Sequence, residues 1–304
     1  MTRPDPTHPD PGRREHYREL YVGPARDGRP LAVVHGNCQA EALRVLLAGS
    51  PTFPWQVVRV PPVHELEASD LPAYDRLLAD TTLLLSQPVR EGYRGLPLGT
   101  GEVAARLAPG GRVLRWPVVR DTGLYPWQAI VRAADGAEAP VVPYHDLRTL
   151  TGRAPVGADL VAAAAESREG LRRREVRDCD VAVSDLLPGL GAAAVHTLNH
   201  PGNALLTALA RRVQEALGAP GDATAPDRVL LGGVRAPLER EVLAALGLEV
   251  AAAREHWLVQ GEAVPAEDVA LAHRAWYATR PDVVASGLER HAARLPLLGL
   301  ASTG

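Results

Sequence analysis

The chain has 304 residues, of which 46% are hydrophobic and 23% charged, and its formal net charge is −3. These proportions are typical of a globular protein and exclude a collagen-like or intrinsically disordered chain. The small negative charge argues against a general nucleic-acid-binding protein, because such domains carry a basic excess. No apolar stretch approaches the length of a transmembrane helix, and the N-terminus lacks the apolar region of a secretory signal. We therefore expect a cytoplasmic protein without a membrane span.

The rare residues of the chain are concentrated in two places. Its two cysteines, Cys38 and Cys179, are too few for a disulfide framework, and no CxxC, HxH or HExxH spacing occurs, so we expect no metal site. All 33 of the Lys and Arg residues are arginine, and only three residues are asparagine. Asn37 lies in the sequence Gly-Asn-Cys-Gln, and Asn199 and Asn203 lie in Asn-His-Pro-Gly-Asn. Both sequences precede a predicted helix.

The first half of the chain alternates between predicted strands and predicted helices. Residues 1–30 are rich in Pro, Arg, Asp and Gly, which predicts a poorly ordered leader. Short apolar runs predict strands over 31–36, 56–60, 81–86 and 112–119. Amphipathic patterns between them predict helices, the first of which ends at Gly49. This alternation is typical of an α/β fold, with a mostly parallel sheet flanked by helices.

The second half of the chain is predicted to be mostly helical. A short strand is predicted over 194–198, and a strongly amphipathic helix follows residues 199–203. Several further helical patterns and no clear strand pattern follow. We therefore expect an α/β catalytic domain over 31–225 and a largely helical C-terminal region over 226–304 that packs on the same domain.

The segment after the first predicted strand carries a candidate nucleophile. Gly36 allows a tight turn and Asn37 is a typical N-cap, which places Cys38 in the first turn of the next helix. A helix N-terminus and a neighbouring imidazole both favour the thiolate, so we expect a lowered pKa for this thiol. Gln39 can offer its side-chain amide or its backbone N–H to an oxyanion. The alternative is a buried structural cysteine, and His35, the last strand residue, is expected to point into the sheet.

A candidate base lies in the second asparagine-bearing sequence. Proline is favoured at the first helical position, so His200 is expected at or just before the N-cap of the following helix. A histidine presented there can act as a general base for a thiol, with Asn199 or Asp185 orienting its second ring nitrogen. The alternative is a capping cluster with a surface histidine. His145, beside Asp146, is a weaker site candidate.

A glycine-rich polar loop, residues 86–102, follows the third predicted strand. Arginine binds phosphate or carboxylate bidentately, and tyrosine can stack on a flat ring. The loop ends where Gly99 opens the next helix, which is a second place for an anion. The candidate binding residues are Gln87, Arg90, Tyr93, Arg94 and Thr100. A mobile surface loop is the alternative, and the lack of a Walker or GxGxxG sequence disfavours an ATPase or an NAD enzyme.

Five motifs follow one another along the chain. They are Gly-Asn-Cys-Gln-Ala at 36–40, the loop with Arg-Glu-Gly-Tyr-Arg-Gly at 90–95, Pro-Tyr-His-Asp at 143–146, Ser-Asp at 184–185 and Asn-His-Pro-Gly-Asn at 199–203. In this order they resemble the WcbI-type polysaccharide-biosynthesis acyltransferases, over residues 31–290. The resemblance implies an α/β fold with a helical C-terminal part. It also implies binding of coenzyme A or acetyl-CoA, and transfer of an acetyl group to a sugar hydroxyl during assembly of a capsule or a related polysaccharide.

The resemblance also implies roles for individual residues. Cys38 would be the catalytic thiol, Gln39 an oxyanion-hole donor and His200 the base, and the arginine-bearing loop would be a candidate for binding the cofactor phosphates. The partners would be a small-molecule acyl donor and a sugar-type acceptor. The residues expected to contact the cofactor are Asn37, Gln87, Arg90, Tyr93, Arg94, Thr100, His145, Asn199 and Asn203.

Two other functions stay open on the sequence. The Gly-Asn-Cys turn and a late histidine also resemble SGNH-type hydrolases or thioesterases with cysteine as the nucleophile, although the GDS and DxxH motifs are absent. A module that binds coenzyme A or a nucleotide sugar without catalysis is the second alternative. Acceptor-independent release of coenzyme A would distinguish hydrolysis from transfer.

Overall fold

The computed structural model describes residues 11–301. Its helices are α1 (Pro11–His16), α2 (Arg18–Val22), α3 (Cys38–Ala48), α4 (Leu71–Ala79), α5 (Thr100–Ala104), α6 (Leu147–Thr151), α7 (Leu160–Asp178), α8 (Leu187–Leu190), α9 (Asn203–Ala216), α10 (Arg240–Ala245), α11 (Ala266–Thr279) and α12 (Pro281–His291). Its strands are β1 (Leu31–His35), β2 (Gln56–Val58), β3 (Thr81–Ser86), β4 (Arg112–Arg115), β5 (Gln128–Ala129), β6 (His145–Asp146), β7 (Val195–Thr197), β8 (His200–Pro201), β9 (Val234–Arg235), β10 (His256–Val259) and β11 (Glu262–Pro265). None of these helices is long and apolar enough to span a membrane.

The chain divides into two compact units. Unit 1 comprises the chain up to Val118 together with Arg172–Asp185 and Asn203–Leu230. Unit 2 comprises Val119–Leu171, Leu186–Gly202 and the chain from Leu231 onward. Each unit is therefore assembled from three separate segments, and this division differs from the expected boundary at residue 225. A boundary read along the sequence assumes that each unit is continuous, and this chain returns to each unit more than once.

Unit 1 is built on a parallel sheet with the strand order β2-β1-β3-β4. All five residues of β1 are buried, as expected for strands covered on both faces, and this explains why they form continuous apolar runs in the sequence. All four strands lie within the predicted ranges, although β4 ends four residues before its predicted end, and the predicted fold class is confirmed. Because β2 and β3 lie on opposite sides of β1, the carboxyl end of β1 is a topological switch point, where α/β sheets bind ligands.

The residues before β1 differ from the prediction of a poorly ordered leader. Residues 1–10 lie outside the described residues, but residues 11–22 form α1 and α2, with Tyr17 and Leu20 buried in the core of unit 1. Arg13 donates a hydrogen bond to the fully buried carboxylate of Asp70 (2.7 Å), and the Tyr21 hydroxyl donates to its other oxygen (2.5 Å). A Pro- and Arg-rich composition does not reveal that a few aromatic, apolar and charged residues attach the segment to the core.

We expect Asp70→Asn to lower the free energy of unfolding by about 3 kcal/mol, because it removes the fully buried carboxylate that forms the shorter of the two ion pairs of Arg13. Urea unfolding followed by circular dichroism measures this change. The matched control is Asp80→Asn, whose side chain is 71% exposed and whose replacement should have little effect. Equal stabilities of the two variants would contradict a structural role for this ion pair.

Unit 2 contains a three-stranded antiparallel sheet in the order β11-β10-β9, in addition to helices α10 and α11, which lie on predicted helical patterns. This sheet was not predicted. Its hairpin turns at Gln260 and Gly261, both with positive φ (51° and 89°), which is the conformation of a tight two-residue β-turn. Gln-Gly is a weaker turn signal than Asn-Gly, so the hairpin was missed.

Candidate functional site

The turn between β1 and α3 is held by three hydrogen-bonding residues. The side chain of Asn37 accepts a hydrogen bond from the backbone N–H of Gln39 (2.9 Å), which confirms the predicted N-cap. The backbone N–H of Asn37 donates to the Oε1 atom of Gln87 (2.8 Å), at the carboxyl end of β3. A Cβ atom on Gly36 would lie 2.5 Å from that same oxygen, so only glycine fits here. Cys38 is therefore placed as the first residue of α3.

Gln39 and Gln87 form a buried pair next to Cys38. The Nε2 atom of Gln87 donates to the Oε1 atom of Gln39 (3.2 Å), and both side chains are almost fully buried. The backbone N–H of Gln39 is bonded to the side chain of Asn37, so this N–H does not serve an oxyanion. Gln87 was expected to bind a cofactor. Instead, the structure uses both ends of its amide to hold the turn.

The environment of Cys38 contradicts the predicted lowering of its pKa. Burial raises the pKa of this thiol to about 11, because loss of hydration disfavours the thiolate by more than the N–H groups of Cys38 and Gln39 stabilise it. The nearby charge of Glu65 adds to the increase. At neutral pH the thiol is therefore protonated, and any nucleophilic role requires a base that removes its proton.

His35 is not available as that base. It is buried, as the sequence predicted; its Nδ1 atom accepts from the hydroxyl of Tyr74 (2.9 Å), and its Nε2–H donates to the carbonyl of Leu98 (2.9 Å). Burial lowers the pKa of His35 to about 4, so the ring is neutral. With both ring nitrogens bonded inside unit 1, His35 has a structural role.

The start of α5 was predicted as a place for an anion, and the structure contradicts this. The N–H of Gly99 donates to the carboxylate of Glu102 (2.8 Å), and the N–H of Gly101 donates to Glu91 (3.2 Å). The hydroxyl of Thr100 donates to the carbonyl of Gln87 (2.9 Å) and accepts from a backbone N–H, so this residue closes the loop. Two carboxylates of the protein already neutralise this helix N-terminus, and they would repel a phosphate.

The other three residues of the loop at 86–102 that were expected to bind a cofactor are Arg90, Tyr93 and Arg94, and their environments differ. Tyr93 packs against the core of unit 1, and Arg94 donates to the backbone carbonyl of His64. Arg90 is exposed. Of the loop residues expected to bind a cofactor, the exposed Arg90 is thus the one that the structure leaves best placed to contact an anion from solvent.

His200 lies in a hairpin and not at a helix cap. It forms the strand β8 with Pro201, and this strand pairs with β7. The N–H of Gly202 donates to the carbonyl of Ala194 (2.9 Å), and a Cβ atom there would lie 2.3 Å from the carbonyl oxygen of Ala193. This close approach delays the start of α9 to Asn203. The preference of proline for the first helical turn is therefore overridden by a backbone contact that requires glycine.

Tyr144 connects the residues around His200. Its hydroxyl donates to Oδ1 of Asn199 (2.9 Å), lies 3.3 Å from Nε2 of His200, and its ring meets the imidazole edge to face. Burial lowers the pKa of His200, while a hydrogen bond to the carbonyl of Val234 partly opposes this. The imidazole is therefore neutral at neutral pH, the form that can accept a proton. Asp185, the other expected orienting residue, is instead paired with Arg212 in unit 1 (2.6 Å).

Tyr144 was not among the predicted site residues, although it lies in the Pro-Tyr-His-Asp motif. The residue predicted from this motif was its neighbour His145, which is buried and shares a hydrogen bond of 2.5 Å with the hydroxyl of Tyr277. Burial lowers the pKa of His145 to about 4. Asn203 was also expected to bind a cofactor; its amide instead donates to the carbonyl of Arg228 (2.9 Å) and accepts from the N–H of Leu230 (2.8 Å).

Some of the predicted residues therefore form two groups, one in each unit. The turn after β1 in unit 1 holds Asn37, Cys38, Gln39 and Gln87. A cluster in unit 2 holds Asn199 and His200 together with Tyr144, which was not predicted. Within residues 11–301, no group of three or more His, Cys, Asp or Glu side chains is arranged to bind a metal ion.

Comparisons with known proteins support the family resemblance that the five sequence motifs indicate. The family model described as the polysaccharide biosynthesis enzyme WcbI matches residues 31–222, which include Cys38 and His200. A solved structure of WcbI, described as a novel polysaccharide biosynthesis enzyme in its native form without a disulfide bond between coenzyme A and a cysteine, matches with a TM-score of 0.76 and 21% identity. The match covers 89% of this chain and 97% of that one. No curated protein matches the chain. The chain belongs to the WcbI family of polysaccharide biosynthesis enzymes.

Proposed function

We propose that the protein is an O-acyltransferase that moves an acyl group, with acetyl as the first choice, from coenzyme A to a hydroxyl group of a sugar. The observation that carries this proposal is the position of Cys38, at the switch point of the parallel sheet and in the first turn of α3. It is supported by the family membership and by the solved relative, whose description names both coenzyme A and a cysteine.

The proposed reaction has two steps. First, His200 accepts the proton of Cys38 as its sulfur attacks the thioester carbonyl, and the sulfur of coenzyme A leaves and takes up that proton. This step forms an acyl-cysteine. A sugar hydroxyl then attacks the acyl group and gives its proton to His200, and the proton passes to the sulfur of Cys38 as it leaves. Neutral imidazole and neutral thiol are the starting forms, which agrees with the directions of both pKa shifts.

Gln39 is proposed to stabilise the oxyanion that forms in each step. The Oε1 atom of Gln39 accepts from Gln87, so the orientation of its amide is set by a buried hydrogen bond. A donor held in place before reaction stabilises developing negative charge without a reorganisation cost. Gln87 would thus be a positioning residue, and it contacts neither the acyl group nor the cofactor in this proposal.

Intact-mass spectrometry after incubation with acetyl-CoA tests the proposal. The wild-type protein and the Cys179→Ala control are expected to gain the mass of one acetyl group, and Cys38→Ala is expected to gain none. Addition of a sugar acceptor should then remove the adduct. An adduct that persists in Cys38→Ala would overturn the role of this cysteine. Release of coenzyme A at the same rate with and without an acceptor would indicate hydrolysis instead of transfer.

A further inference from the structure

Unit 2 contains a pocket of about 610 Å³, a volume typical of small-molecule sites. Its lining includes the side chains of Trp127, Tyr144 and Trp257. The rings of Tyr144 and Trp257 are stacked, with centroids 6.1 Å apart and an interplanar angle of 18°, and we call this pair the aromatic wall. Such a wall offers a flat apolar surface, which suits the carbon face of a ring-shaped ligand.

A fixed network of polar side chains also lines the pocket. Arg148 bonds the carboxylates of Asp146 and Glu239, both at 2.7 Å, and the indole N–H of Trp127 donates to Glu239 (3.1 Å). The side chain of Glu239 is nevertheless 34% exposed. Among residues 11–301, its Oε1 atom accepts a hydrogen bond from Arg148 alone, which leaves a lone pair for a ligand. The network therefore holds a hydrogen-bond acceptor in place, and a hydroxyl group is a donor that suits it.

Negative charge exceeds positive charge in the lining of the pocket. The charged groups are the carboxylates of Asp146, Glu239, Glu241, Glu255 and Glu267 and the guanidinium groups of Arg148, Arg240 and Arg254. Arg254 already bonds the carbonyl of Ala236 and the hydroxyl of Tyr125. His145 and His273 also line the pocket, and burial lowers the pKa of both, so they add no positive charge at neutral pH. The pocket therefore disfavours phosphate-bearing ligands, including the nucleotide half of coenzyme A.

From these observations we infer that the pocket binds an unphosphorylated sugar, with its ring on the aromatic wall and a hydroxyl group on the carboxylate of Glu239. The hydroxyl of Tyr144 lies 3.3 Å from Nε2 of His200, so one side chain separates a sugar on this wall from the proposed base. The identification of this sugar as part of the acceptor rests on the proposed function, but its binding to the pocket does not. The acceptor is then a glycoside and not a sugar phosphate.

Titration with the methyl glycosides of glucose, galactose and mannose, followed by tryptophan fluorescence and by calorimetry, tests this inference. We expect at least one of the three to bind saturably, with a Kd of about 1 mM. The matching hexose 1-phosphate should bind about threefold or more weakly, because the surplus carboxylates repel its phosphate, and high salt should reduce this difference. These comparisons use the wild-type protein, so they do not depend on the folding of any variant.

Two sets of variants test the residues that are proposed to hold the sugar. Glu239→Gln should weaken binding by about tenfold, the usual effect of losing a charged hydrogen bond. The matched control is Glu262→Gln, an exposed position on β11 outside the pocket, which should bind as the wild type does. Trp257→Leu, which removes half of the aromatic wall, should weaken binding by about five- to tenfold, and Trp257→Phe, which keeps a ring, should weaken it less. Calorimetry measures these affinities, and circular dichroism confirms that each variant is folded.

Four outcomes would overturn the inference. They are no binding of any of the three glycosides up to about 10 mM, binding of the hexose 1-phosphate as tight as that of its glycoside, an unchanged affinity in a folded Glu239→Gln variant, and competition by adenosine 3′,5′-bisphosphate, which would assign the pocket to coenzyme A. The titrations contain no acyl donor, so they are independent of the mass test on Cys38. Binding without an acyl adduct would contradict the proposed function alone, and an adduct without binding would contradict this inference alone.

Discussion

His200→Gln is expected to lower kcat for acyl transfer by about 10²–10⁴-fold, the usual contribution of a positioned general base. The effect should be large because the pKa of the Cys38 thiol is raised to about 11, so the thiol does not ionise by itself at neutral pH. Steady-state release of coenzyme A in the presence of an acceptor measures this change. His256→Gln, in the same unit and outside the pocket, is the matched control. Comparable rates for the two variants would contradict the role of His200.

The dependence of kcat/KM on pH in the wild-type enzyme is a second test of the role of His200. Burial lowers the pKa of His200 below its ordinary value of 6.5. The neutral, proton-accepting form is therefore present at pH 6.5, and it is lost only as the pH falls through the lowered pKa. We expect the acid limb of kcat/KM to have its midpoint below pH 6.5. A midpoint above that value would mean that His200 is not the titrating base.

Alkylation of Cys38 by iodoacetamide is expected to become faster by about tenfold for each pH unit between pH 7 and pH 10. Only the thiolate reacts, and with a pKa of about 11 its fraction at pH 7 is about one in ten thousand. The total increase over this range is therefore about 1,000-fold. Stopped-time mass spectrometry on the Cys179→Ala protein, which leaves Cys38 as the reacting thiol, measures the rate.

The dependence of the alkylation rate on pH distinguishes two hypotheses about the Cys38 thiol at the N-terminus of α3. The thiolate fraction of an ordinary cysteine, with a pKa of about 8.5, levels off above pH 9. A thiol activated by the helix dipole alone would level off below pH 8. A continued rise to pH 10 supports a buried thiol that depends on a base, whereas a plateau near neutral pH would contradict the raised pKa.

Local signals account for the predictions of local structure around Cys38 that are confirmed. The buried runs of β1 and β3, Gly36 and the N-cap Asn37 are all recognised within a few residues of sequence, and they place Cys38 at the start of α3. The capping of α5 by Glu102 also has a local signature, since the glutamate follows Gly99 by three residues. That signal was available, and it would have argued against an anion site there.

The errors concern contacts between residues far apart in the chain. The length of β8 depends on the approach of Gly202 to Ala193, and the partner of His200 is Tyr144, 56 residues earlier. Asn203, expected to bind a cofactor, holds a loop 25 residues later. Side chains of the same type can bind a ligand or the protein itself, and sequence spacing does not distinguish the two.

The sequence by itself determined the family, the parallel sheet and the two asparagine-bearing segments that carry Cys38 and His200. These depend on hydrophobic periodicity, capping and ordered motifs, which are properties of neighbouring residues. Only the tertiary structure decided the ionisation state of Cys38, the pairing of Gln39 with Gln87 and the pocket beside Tyr144. Burial and hydration are set by residues that fold together from distant parts of the chain. For this reason the sequence located the thiol, and its pKa depended on the fold.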